Sequence, residues 1–178
     1  ILKMFEIKLS QGAKPGKGGI LPGGKVTELI ASTRGIPVHQ DSISPNRHPE
    51  VTDAASLLDL VDRVRKASEK PVGIKFVLGE STWFDELIAE IQRRGIGSAP
   101  DFVTVDSADG GTGAAPQGLL DNMGLPVAYS LPIVHQKLEV SGLRERVKVI
   151  ATGKMINPAG VAAALCLGAD VGCSARGG

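Results

Sequence analysis

The residues best placed to do chemistry lie between Asp101 and Pro116, where Phe102-Val103-Thr104-Val105 runs into Asp106-Ser107-Ala108-Asp109-Gly110-Gly111-Thr112-Gly113. β-branched residues alternating with polar ones form a strand, and the glycines that follow cannot continue it. Gly110, Gly111 and Gly113 let backbone N–H groups approach a ligand closely, while Asp106, Asp109 and Thr112 supply acceptors and a hydroxyl. A parallel α/β sheet keeps its chemistry at such carboxyl ends. A glycine-rich turn that binds nothing has the same composition, so the rest of the chain must decide between the two.

Two later stretches repeat the pattern. Val147-Lys148-Val149-Ile150-Ala151 ends in Thr152-Gly153-Lys154, and Ala169-Asp170-Val171-Gly172-Cys173 ends in Ser174-Ala175-Arg176-Gly177. Late strands of a (β/α)₈ barrel build phosphate sites this way, with backbone N–H groups and a basic side chain meeting the anion. The same glycines could instead serve only close helix packing. Lys75 lies inside the apolar strand Val72–Leu78. A charge there is costly unless paired, so Lys75 either reaches a buried carboxylate or faces a ligand at the sheet edge.

The elements that position these residues follow from periodicity. Strands are expected near 4–9, 72–78, 102–106, 147–151 and 170–173, parallel, with Lys8, Lys75, Asp106 and Gly153 at one edge. Helices are expected over Lys25–Thr33, from Thr52 as N-cap to Glu69, over Ser81–Arg94, around Gln117–Met123, over Pro132–Val140 after an extended Val127–Ser130, and over Ala159–Leu167 behind an Asn157-Pro158 cap. Residues 10–24, with Lys14 and Lys17, and residues 36–50, with His39 and His48, read as long loops. The histidines have no neighbouring cysteine and make no metal pattern.

Composition narrows the class. With 42% hydrophobic, 22% charged and 3% aromatic residues over 178 positions, the chain matches one globular α/β domain or part of one. A net charge of +1 without a basic, aromatic-laced run speaks against nucleic acid. No membrane-length apolar stretch or signal peptide is present, so a cytoplasmic enzyme or enzyme fragment is expected. Cys166 and Cys173 are expected to be buried free thiols.

Lys8-Leu9-Ser10-Gln11-Gly12-Ala13-Lys14-Pro15-Gly16, Leu21-Pro22-Gly23, Asp109-Gly110-Gly111-Thr112-Gly113-Ala114 and the closing Gly-Ala-Asp strand occur in order along nearly the whole chain. On these residues the sequence resembles the FMN-binding synthase domain of the glutamate synthase family. The resemblance implies a partial (β/α)₈ barrel without the early strands, with FMN at the carboxyl ends of those present. It also implies reductive amination of a 2-oxoacid, 2-oxoglutarate by way of 2-iminoglutarate, with ammonia from a glutaminase domain or subunit and electrons from a separate donor. By position, Lys75 is the catalytic cation beside the flavin, and Lys8, Lys14 and Arg34 hold substrate carboxylates. Gln11, Lys75, Asp106, Gly110, Gly111 and Gly113 border the flavin, and Gly153, Lys154, Ala175 and Arg176 line its phosphate. The family's iron–sulfur cluster belongs to a segment after the last strand, so neither cysteine is a ligand here. Ile20 stands where the family has glutamine, and Ala151-Thr152-Gly153 where longer enzymes have Asp-Gly-Gly; these departures bear on the substrate and on a ribityl contact.

Two other readings use the same residues. The piece could be a non-catalytic fragment, whose unclosed sheet would self-associate or have low stability. It could also belong to another phosphate-binding barrel enzyme, although the catalytic cysteine loop of an inosinate-dehydrogenase-like enzyme is absent.

Overall fold

A computed structural model describes residues 2–109, 115–119 and 122–175. The chain divides into two compact units, Gly16–Pro49 and the remainder. In chain order the elements are Phe5–Lys8 (β1), Ile20–Leu21 (β2), Glu28–Arg34 (α1), Ser42–Ile43 (β3), Ala54–Ser68 (α2), Val72–Val77 (β4), Thr82–Arg94 (α3), Phe102–Asp106 (β5), Val127–Val140 (α4), Lys148–Thr152 (β6), Pro158–Cys166 (α5) and Val171–Cys173 (β7).

In the larger unit the five expected strands form one parallel sheet in the order β1-β4-β5-β6-β7. Side chains alternate between its faces. Ile7, Ile74, Phe76, Val103, Val105 and Val149 occupy the positions that join the buried cluster. Against them pack Leu57, Leu58 and Val61 of α2, Phe84, Leu87 and Ile91 of α3, and Leu131, Val134 and Leu138 of α4. The opposite face mixes polar and apolar residues. Lys8, Lys75, Thr104 and Ile150 lie side by side in register across four strands. Lower on that face, a Cβ on Gly73 would come within 2.3 Å of the Phe102 ring, so the ring fills the space beside this glycine.

Several boundaries differ from the sequence expectations. The residues Val127–Ser130 open α4 rather than forming an extended segment, and Pro132 sits inside the helix. Burial of Ser130, Leu131, Val134 and Leu138 on one helical face offsets the backbone bond that the proline cannot make. Asp53, not Thr52, caps α2, because its carboxylate accepts from Ser56 N while the Ser56 hydroxyl reaches back to the cap. Residues 117–119 and 122–124 are turns and bends, and no helix occurs among the described residues of Gln117–Met123.

In the smaller unit α1 starts later than expected, after a 3-10 turn over Gly23–Lys25 and a Thr27 cap, and it ends at Gly35 in the left-handed region. The two long loops are not wholly irregular: β2 and β3 pair antiparallel, Ile20 with Ile43 and Leu21 with Ser42. Two-residue strands carry no periodicity for a sequence to display.

Cys166 and Cys173 are free but exposed, not buried. Cys166 ends α5, and Cys173 lies on β7, which pairs on one side only among the described residues. Val171 and Leu165 nearby are exposed for the same reason.

Candidate functional site at the carboxyl edge of the sheet

The carboxyl ends of β1, β4, β5, β6 and β7 are brought level by the register, with Asp106 beside Val77 and Thr152, and Thr152 beside Cys173. Above them opens a cleft of about 360 Å³ whose lining includes Gln11, Lys75, Asp106, Gly153, Lys154 and Ala175.

Close backbone contacts fix its walls. The segment after β1 crosses the end of β4: Leu9 N donates to Lys75 O at 2.8 Å, and Val77 N donates to the Ser10 hydroxyl at 2.9 Å. Gly12 N then donates to Asp106 Oδ2 at 3.0 Å. A Cβ on Gly12 would lie 1.7 Å from the Ser107 carbonyl oxygen, so only glycine allows this approach. On the other wall, Ser107 N donates to Thr152 O at 3.0 Å, and Val127 N at the start of α4 donates to the Ser107 hydroxyl at 2.9 Å. Gly153 packs onto Ser107 with φ +98°, and a Cβ there would come within 2.5 Å of the Ser107 Cβ. Lys154 is left-handed as well, at φ 49°, and its ammonium lies 3.5 Å from Asp109 Oδ2.

Positive charge dominates the β1–β4 side. Lys75 Nζ is 3.6 Å from Asp106 Oδ2, and Lys8 Nζ donates to Gln11 Oε1 at 2.9 Å. The Lys8 side chain reaches over the protein, and loss of hydration lowers the pKa of its ammonium; the charges of Lys75 and Lys14 lower it further, against opposing pulls from Asp106 and Glu6. Cations gathered in this way form a pocket suited to an anion.

Of the residues singled out from sequence, Gln11, Lys75, Asp106, Gly153, Lys154 and Ala175 line one cleft. Lys8 and Lys14 belong to the same group of charges. Arg34 ends α1 in the smaller unit. Gly110, Gly111, Gly113 and Arg176 lie outside the described residues. The sequence reading missed Ser107 and Cys173 as part of the cleft, and the need for glycine at position 12 beside it. Ser107 and Gly12 lie in the stretches singled out, but their roles depend on loops remote in sequence. Among the described residues no group of three His, Cys, Asp or Glu side chains could hold a metal ion, and no helix is long and apolar enough to cross a membrane.

A family model described as a conserved region in glutamate synthase matches residues 2–177. The chain is 43% identical to the glutamate synthase large subunit-like protein YerD of Bacillus subtilis, over 99% of this chain and 33% of that protein. It is 39% identical to an archaeal-type glutamate synthase [NADPH] of Thermotoga maritima, over 93% of this chain and 32% of that protein. An archaeal glutamate synthase [NADPH] of Methanocaldococcus jannaschii is 40% identical over 93% of this chain and 32% of that protein. The chain thus spans about a third of the length of the curated relatives it matches. Among solved structures, a double mutant of flavocytochrome b2 with pyruvate bound superposes with a TM-score of 0.53 at 19% identity, covering 97% of this chain and 36% of that one. At that identity the likeness speaks for the fold, and the five-stranded sheet with its helices is part of a (β/α)₈ barrel.

Proposed function

Because the chain belongs to the glutamate synthase family, we propose that it forms part of the FMN-binding synthase barrel of a longer polypeptide that reductively aminates a 2-oxoacid. 2-Oxoglutarate is the favoured substrate, ammonia would come from a glutaminase domain or subunit, and electrons from a separate donor. The early barrel strands and the iron–sulfur segment would lie outside these 178 residues, and the protein would work in the cytoplasm, where thiols stay reduced. The observation that carries this reading is the convergence of Lys8, Lys75, Asp106 and Gly153 at one sheet edge, over a single cleft for the last three.

The residues present fit FMN. The cleft is walled by the close approaches of Gly12 and Gly153 to Ser107, has a basic side at Lys75 and Lys8, and ends at the Gly153-Lys154 turn. Lys75 would stand at the flavin's pyrimidine edge, and Gly153, Lys154 and Ala175 at its phosphate, with Arg176 joining them. Bound FMN would supply the two-electron reduction of the imine formed from the 2-oxoacid and ammonia. Lys75 would hold a fixed positive charge where negative charge develops on reduction. Lys8 and Lys14 would bind substrate carboxylate, which restores the hydration-poor Lys8 ammonium to its usual basicity.

The complete polypeptide, purified and heat-denatured, is expected to release stoichiometric FMN; a colourless protein or a different flavin would overturn the reading. Lys75→Met is expected to retain FMN but be reduced about tenfold more slowly in stopped flow. Two opposite charges in contact near a protein surface attract by about 4 kcal/mol. The Asp106 carboxylate 3.6 Å from Lys75 cancels much of that, and about 1–2 kcal/mol remains to lose. A variant reduced at the wild-type rate would remove Lys75 from the chemistry.

A further inference from the structure

We propose that Asp106 is a counter-charge that sets how much of the Lys75 charge the cleft presents to a bound flavin, and so sets the flavin's reduction potential. The inference rests on the FMN reading and assigns Asp106 a task beyond contact with the cofactor.

The pair is looser than the lysine–carboxylate contacts within α2 and between α3 and α4. Lys66 approaches Asp62 to 2.6 Å, and Lys137 approaches Asp85 to 2.5 Å, both within hydrogen-bond reach. Lys75 stays 3.6 Å from Asp106, near enough to feel the charge and too far for a good hydrogen bond. Its ammonium is therefore not consumed by the carboxylate. Asp106 is held in place, because the same Oδ2 accepts Gly12 N–H at 3.0 Å, and Gly12 is fixed by its approach to Ser107. The carboxylate cannot follow the lysine without losing that bond. Both groups are mostly buried, with side-chain exposures of 22% for Lys75 and 11% for Asp106, so water screens them weakly.

The other carboxylates at this end are engaged elsewhere. Asp109 faces Lys154 and bonds Ser107, and Glu6 accepts the Thr104 hydroxyl at 2.5 Å. Asp106 is thus the carboxylate set against Lys75, with Lys8 and Lys14 adding positive charge nearby. Removing the Asp106 charge unmasks the lysine, which favours an anionic reduced flavin over the neutral oxidised one.

The test is a spectroelectrochemical titration of the complete holoprotein as wild type, Asp106→Asn and Asp106→Glu, with flavin content measured first. An asparagine oxygen still accepts Gly12 N–H, so the Asn variant is expected to keep FMN and to titrate at a higher potential. Each tenfold gain in preference for reduced over oxidised flavin moves a two-electron couple up by about 30 mV. Asp106→Glu keeps the charge and is expected to stay near the wild-type potential. An Asn variant with bound flavin and an unchanged or lower potential overturns the counter-charge role. Loss of flavin from the Asn variant, with retention by the Glu variant, overturns it in favour of anchoring. A wild-type protein without flavin refutes instead the FMN reading on which the inference stands.

Discussion

Replacing Gly12 by alanine is expected to destabilise the protein by about 3–5 kcal/mol and to abolish flavin retention. The added Cβ would fall 1.7 Å from the Ser107 carbonyl oxygen and 2.6 Å from its carbon, both backbone atoms that no side-chain rotation can clear. Overpacking alone typically costs about 1–3 kcal/mol. The displaced loop also withdraws Gly12 N–H from Asp106, and a hydrogen bond to a charged group contributes about 1.5–3 kcal/mol. Urea unfolding and flavin absorbance measure the two effects. Gly97→Ala is the control, since no atom lies within 4 Å of the Cβ it would gain, and it is expected to change neither. A Gly12→Ala variant as stable and as yellow as wild type would mean that the loop does not close on β5 as described.

The second large effect is expected at the other end of the sheet, where Asp101→Ala should cost about 2–3 kcal/mol. One carboxylate there accepts from Val72 N at 2.8 Å, from Arg65 Nε at 3.2 Å and from Arg146 Nη2 at 2.7 Å, tying α2 and β4 to the residues before β6. Breaking a fully buried pair costs about 3–5 kcal/mol, and the partial exposure of these three side chains reduces that figure. Asp101→Asn, which still accepts from Val72, should cost less. Burial pushes the Asp101 pKa up, but the Val72 N–H and the two arginines outweigh it and hold the pKa below the ordinary aspartate value. Asp170 is depressed in the same way, burial being outweighed by Arg144 and by Val149 N–H.

Both carboxylates are therefore ionised in the folded state at a pH where the unfolded chain binds protons. Their stabilisation is complete above the unfolded value of about 3.9 and is lost as pH falls below it, through the lower folded values. Urea unfolding from pH 6 downward, at about half-unit steps, should show stability falling with pH, and more weakly in Asp101→Asn. Equal slopes for the two proteins would contradict the assignment.

What the sequence displayed was periodicity, and it displayed it well wherever an element is long. The stripe Phe84, Leu87, Ile88 and Ile91 placed α3 almost to the residue, and the strands around Lys75 and Asp106 were legible from apolar runs ended by small residues. Pro132 misled, because a proline looks like a helix boundary until the burial of Leu131 and Val134 around it is known. The exposure of Cys166 and Cys173 was hidden because composition does not say which strand lies at an edge. At the site, Lys75 lies 3.6 Å from the carboxylate of Asp106, the carboxylate partner being one of its two alternatives, and both residues line the cleft at the sheet edge. The need for glycine at position 12 was invisible because the atom that forbids a side chain belongs to Ser107, far along the chain.

That β1 pairs, among the described residues, with β4 also sets an order of events during synthesis. Pairing of Ile7 with Ile74, like the Val77–Ser10 hydrogen bond, joins residues 67 positions apart. At about 5–20 residues per second, β4 follows β1 from the ribosome after roughly 3–13 s. Through that interval Phe5 and Ile7 wait for β4, whereas β3 follows β2 after roughly 1–5 s, since Ile20 pairs with Ile43. Contacts between residues so far apart in sequence also form slowly once both are present. Slowing translation between residues 20 and 70 would lengthen the time for which the strand that carries Lys8 waits for β4.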